Sequence, residues 1–134
     1  MTNFFITMEE RKELFLTIEE NEIHPNEEIH GRIQVNYNGR FDSIVINSQI
    51  ENSNDICNYI ELNGKKINHP YARLSIYKKD LEEKRIIDFI AFTPHIPKNE
   101  VSKVKFRTSI IQEHKEVAND ILVLQIRKGE EKIL

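Results

Sequence analysis

Apolar and polar residues alternate through most of the chain. The alternation is strict from Ile29 to Tyr37. Ile29, Gly31, Ile33, Val35 and Tyr37 fall on one side, and His30, Arg32, Gln34 and Asn36 on the other. A period of two sends successive side chains to opposite faces, so this stretch reads as a strand with one buried and one wet face. Leu14, Leu16 and Ile18 predict an earlier strand by the same pattern, and residues 4–8 are apolar enough for one before it. Ile44, Ile46, Ser48 and Ile50 alternate with Ser43, Val45, Asn47 and Gln49. Further strands are expected at 56–62 and at 71–78, where Ala72, Leu74 and Ile76 share a face. Residues 85–93 form the most apolar run and predict a central strand buried on much of both faces. In residues 101–112, Val104, Phe106, Thr108 and Ile110 point inward and Lys103, Lys105, Arg107 and Ser109 outward. The last strand, 117–126, sets Leu122, Leu124 and Ile126 against Ile121 and Val123.

Turn residues punctuate these runs. His24-Pro25-Asn26 fits a turn in which proline presets φ. Asn38-Gly39 is a strong hairpin signal, because a type I′ turn needs positive φ at both centres. It predicts that strand 43–50 pairs back on strand 29–37. Asn63-Gly64 is a second such signal, and residues 113–116 predict a polar hairpin. His69-Pro70 breaks the chain, and Pro94 and Pro97 force an extended crossover around His95 and Ile96. Residues 77–84 make a charged connection with room for one helical turn. Eight or nine short strands with no helical period predict an all-β fold: a single antiparallel β-sandwich, immunoglobulin-like or arrestin-like. The domain is expected to span 1–128, with 129–134 a loose tail.

Composition supports this picture. The 134 residues suit one domain, and hydrophobic (39%) and charged (31%) residues are balanced as in folded, soluble chains. A net charge of −3 argues against a nucleic-acid partner. The one cysteine, Cys57, excludes an internal disulfide and suits a reducing compartment; it is expected to be a small buried hydrophobe. No apolar run approaches a membrane span, and no secretory leader is legible, so the expected location is cytoplasmic, at membranes only through partners.

Two stretches resemble the arrestin-like family. Pro25-Asn26-Glu27-Glu28-Ile29-His30-Gly31-Arg32-Ile33-Gln34-Val35 is similar to the turn and Gly-containing strand of the N-terminal arrestin domain, with Asn26 where glycine is usual. Asparagine also tolerates a left-handed φ. Phe89 to Pro97 and Val104 to Ile110 resemble a later strand, its proline bend and the strand after it. The relatives implied are α-arrestins, the arrestin-like retromer subunit and sporulation-control proteins. The resemblance implies a non-enzymatic adaptor or scaffold in cargo sorting, trafficking or signalling that binds proteins through edge strands or loops. The alternative is an immunoglobulin-like or carbohydrate-binding sandwich module, for which Tyr37, Tyr59, Tyr71 and Tyr77 are the candidate sugar-stacking residues.

Little else points to chemistry. Lys103, Lys105 and Arg107 place three cations on one strand face, about 7 Å apart. Their candidate partners are acidic or phosphorylated peptide or an anionic membrane surface; the alternative is a solvated face that discourages aggregation. Lys65-Lys66 and Lys78-Lys79 read as loop charges. His24 and His30 flank Glu27 and Glu28, but no metal-ligand spacing appears and the histidines are expected to be solvated. No catalytic, cofactor or metal site is predicted: adjacent carboxylates on a strand face apart, and there is neither a phosphate loop nor a nucleophile elbow.

Overall fold

The computed structural model describes residues 12–129. The expected strand at 4–8 and all but the start of the expected tail lie outside them. Among the described residues there are nine strands: β1 (Leu14–Ile18), β2 (Ile29–Val35), β3 (Ser43–Ile50), β4 (Asn58–Leu62), β5 (Lys65–His69), β6 (Arg73–Tyr77), β7 (Ile86–Phe92), β8 (Val101–Gln112) and β9 (Lys115–Arg127). One helical turn, α1 (Lys78–Leu81), fills the charged connection. The strands form two antiparallel sheets, ordered β1-β2-β7-β4-β5 and β6-β3-β8-β9. This is the β-sandwich that the alternation predicts.

The inward rows match the sequence pattern. Gly31, Ile33 and Ile29 of β2 lie opposite Phe89, Ile87 and Ala91 of β7. Ile44, Ile46, Ser48 and Ile50 of β3 lie opposite Ile110, Thr108, Phe106 and Val104 of β8. The apolar side chains of these rows join Leu14, Leu16 and Tyr59 in one continuous core. Cys57 is buried within it, and burial pushes its thiol up to about 11, so it packs as an inert hydrophobe.

Three turns behave as their residues suggest. Asn26 takes a positive φ of 65°, and Glu27 N–H donates back to His24 C=O, so asparagine fills the third place of a type II-like turn. Asn63 and Gly64 both have positive φ and join β4 to β5 in a two-residue hairpin. Glu113 and His114 (φ 50° and 65°) do the same between β8 and β9.

The Asn38-Gly39 hairpin is overturned. Neither residue has positive φ, and β2 and β3 lie in different sheets. Both ladder sides of β2 are occupied, by β1 and β7, so the chain must leave the sheet. Asn36 and Tyr37 N–H groups donate to Glu13 C=O, and Tyr37 packs edge-on to Phe41 as the chain crosses over. Strand β7 is central as expected but not buried on both faces: Ile86 and Asp88 point into solvent. Strand β5 escapes the alternation pattern altogether. It is an edge strand of mostly exposed polar residues, and it contains Lys65 and Lys66, which are therefore strand and not loop charges.

Candidate functional site

The outer face of the four-stranded sheet carries the predicted cations. Strand β8 holds Lys103, Lys105 and Arg107 outward, as alternation requires. The structure separates the three. Arg107 donates to Glu116 at 2.7 Å, so its charge is already paired. Lys103 and Lys105 are exposed, and among the described residues neither forms an ion pair. Opposite them on β9 stand Gln125 and Val123, with Ile121 opposite Arg107. Val117, Ile121 and Val123 are 37%, 48% and 53% exposed. An apolar row thus runs beside two free cations, which the sequence pattern had shown only as a strand's second face.

Strand β9 is also a sheet edge. Its C-terminal end is covered: Ile23 N–H donates to Gln125 C=O, and Arg127 N–H donates to Ile23 C=O. Those two bonds show that the backbone groups of 125 and 127 point away from β8. The same parity aims the groups of Asn119, Ile121 and Val123 outward, where no strand of the described residues pairs with them. Natural edges are commonly guarded by Lys or Pro. The outward positions Val117, Asn119, Ile121, Val123 and Gln125 carry neither.

The histidine expectation is corrected in two places. His24 lies near Glu22 (3.6 Å) and is not brought to His30. His30 is gripped by Glu20, which accepts from its backbone N–H (2.6 Å) and contacts its Nδ1 (2.7 Å). That hydrogen bond raises the His30 pKa above its ordinary value against an opposing desolvation, with the charges of Glu20, Glu19 and Glu28 adding to it. Burial pushes Glu20 up, but the His30 bonds outweigh it and the net shift is downward. Ligand-type atoms of Glu19, Glu20 and His30 lie within 4.8 Å of one another, yet Glu20 and His30 already satisfy each other as a clasp between the end of β1 and the start of β2.

His95 is the second correction: it is buried. Its Nδ1 lies 2.8 Å from Asp55 Oδ2 and its Nε2 2.9 Å from Ser102 Oγ. These three are 40 and 7 residues apart and share no motif, so no local pattern marks them. Only the closeness of Pro94 and Pro97, which stiffen the segment carrying His95, could have drawn attention there.

The tyrosines form no common platform. Tyr59 is buried and donates to Ala72 C=O. Tyr71 and Tyr77 are exposed, but lie at opposite ends of the β6 region, about 20 Å of extended chain apart.

The two-layer topology defines an immunoglobulin-like β-sandwich, and solved structures share it. The CFA/I adhesin CfaE of enterotoxigenic E. coli superposes with a TM-score of 0.62 at 8% identity, over 90% of this chain and 49% of the adhesin. This chain therefore spans about half the length of that adhesin. The human F-spondin reeler domain gives a TM-score of 0.52 at 12% identity, over 88% of this chain and 89% of that one. No family model matches the sequence, and no characterised protein matches it in sequence. None of the helices described is long and apolar enough to cross a membrane.

Proposed function

We propose that this chain is a protein-binding module that receives an extended segment of its partner along the open edge of β9. The observation that carries this reading is the edge at Asn119–Val123, which no strand among the described residues pairs, with exposed Val117, Ile121 and Val123 beside Lys103 and Lys105. An added strand gains main-chain hydrogen bonds from the edge and side-chain contacts from the apolar row. Its backbone would lie two strand spacings, about 10 Å, from β8, within reach of a lysine meeting an acidic side chain. The fitting partner is a segment with apolar and acidic residues on one face. The fold likeness to an adhesin and a reeler domain accords with a binding module. The adaptor role among arrestin-like proteins is the narrower form of this proposal and stands on the Pro25–Val35 and Phe89–Ile110 resemblances alone.

Backbone amide NMR with an alternating Val/Glu peptide tests it. Shifts should concentrate at Asn119–Val123. Ile121→Pro removes an edge-facing N–H without touching the β8 ladder and should abolish binding. Replacing Lys103 and Lys105 with Ala should weaken binding several-fold at low salt. Equal binding by Ile121→Pro overturns the edge reading. Vesicles of anionic lipid retained by Ile121→Pro and lost by the double lysine variant would assign the face to a membrane surface instead.

A further inference from the structure

One end of the sandwich gathers three side chains from three segments. Asp55 comes from the loop after β3, His95 from the proline-bracketed segment after β7, and Ser102 from the start of β8. Ser102 Oγ is 2.9 Å from His95 Nε2, and His95 Nδ1 is 2.8 Å from the Asp55 carboxylate. This order matches the serine–histidine–carboxylate arrangement that activates a hydroxyl for acyl transfer. With Nδ1–H donating to the Asp55 carboxylate, Nε2 is left to accept the serine proton.

The imidazole is held from behind. Thr93 Oγ1 donates to Ile56 C=O (2.9 Å) and accepts the His95 N–H (3.2 Å), so both loops share one anchor. Ser53 Oγ accepts the Asp55 N–H (2.9 Å) and sits 3.4 Å from His95 Nδ1. The His95 hydrogen bond, then that of Ser53, holds the Asp55 carboxyl below its ordinary range. Ser102 and His95 border a cavity of about 330 Å³ that is also lined by Lys98 and Asn99. Both carry side-chain N–H groups, the kind of donor a developing oxyanion needs.

We propose that Ser102 is a nucleophile, with His95 as its general base and Asp55 as positioning residue, acting on small acyl esters. Ser102 Oγ bonds to the ester carbonyl carbon as its proton passes to His95 Nε2. The carbon–alkoxide bond then breaks, and His95 returns the proton to the departing alcohol. Water, deprotonated by His95, cleaves the acyl-serine to a carboxylic acid and restores the hydroxyl. No oxidant or metal enters the balance. Asp55 is more than half exposed, so water screens its support and turnover is slow.

A fluorophosphonate probe and p-nitrophenyl acetate test this on the full chain. The folded protein should form one adduct, mapped to Ser102 by peptide mass spectrometry, and hydrolyse the ester above the buffer rate. Ser102→Ala should lose both, and His95→Gln should lower hydrolysis about 100-fold. Asp55→Asn should lower kcat with KM unchanged, a split that a loss of folding does not produce. Thermal melts identify any variant that fails to fold; the adduct on the unaltered chain needs no variant. Absence of a Ser102 adduct, or equal labelling of heat-unfolded protein, overturns the proposal.

Discussion

Gly31 shows how a single side chain, by its absence, sets the spacing of the core. It lies opposite Phe89 in the β2–β7 ladder, and a Cβ at this position would enter the Phe89 ring. Tyr59 packs edge-on to the ring at 6.0 Å between centroids and limits its room to move. Alternation places position 31 on the inward face, but only the register puts an aromatic across from it. Gly31→Ala should therefore destabilise by about 1–3 kcal/mol through overpacking. Urea unfolding measures this, and a variant as stable as the parent would mean the ring has another rotamer open to it.

Among elements, the β1–β2 connection is held by charge as well as by backbone. Glu19 N–H donates to His30 C=O, and Glu20 clasps His30 from the other side. Because the His30 pKa is raised, its contribution is complete below the ordinary 6.5 and disappears as pH rises through the raised value. Because the Glu20 pKa is lowered, its contribution is complete above the ordinary 4.5 and disappears as pH falls through the lowered value. Both act between pH 4.5 and 6.5. The stability difference between the parent and Glu20→Gln should peak in that window and shrink at higher pH. Solvent exposure of the pair keeps its charge part below about 1 kcal/mol. Denaturant midpoints across pH read it, and a difference flat from pH 5 to 9 would leave the ionic part without effect.

Over the whole molecule, the two sheets meet along the β1–β9 side. Asp120 of β9 accepts the Leu16 N–H of β1 (2.8 Å) and the Lys12 ammonium (2.9 Å). Ile23 then adds a short parallel bridge at Ile126. These contacts tie the sheets together where no disulfide does so. They also leave the outward backbone groups of Ile121 and Val123, between those two contacts, as the edge to which a partner strand would add. Asp120→Ala leaves the Leu16 N–H without its partner and should cost about 1–3 kcal/mol. Amide exchange at Leu16 should accelerate with it; unchanged protection there would show that the sheets are joined by apolar packing alone.

Most strands, and the inward face of each, are legible in the residue pattern. The bounds 101–112 and the inward row Val104, Phe106, Thr108 and Ile110 are legible because period two is a local property, whereas Ser109, expected outward, is buried against Glu116. Asn26, Asn63 and Gly64 are legible for the same reason, since positive φ is a matter of one residue's sterics. Pairing is not local. Asn38-Gly39 has the residues of a hairpin, but β2 had no free ladder side, and that depends on where β1 and β7 lie. Strand β5 has little inward face to betray it. The Asp55–His95–Ser102 line and the bare edge of β9 likewise exist only once distant segments are brought to one end or one side of the sandwich. Hydrogen bonding and packing between segments decided those, and no spacing along the chain encodes them.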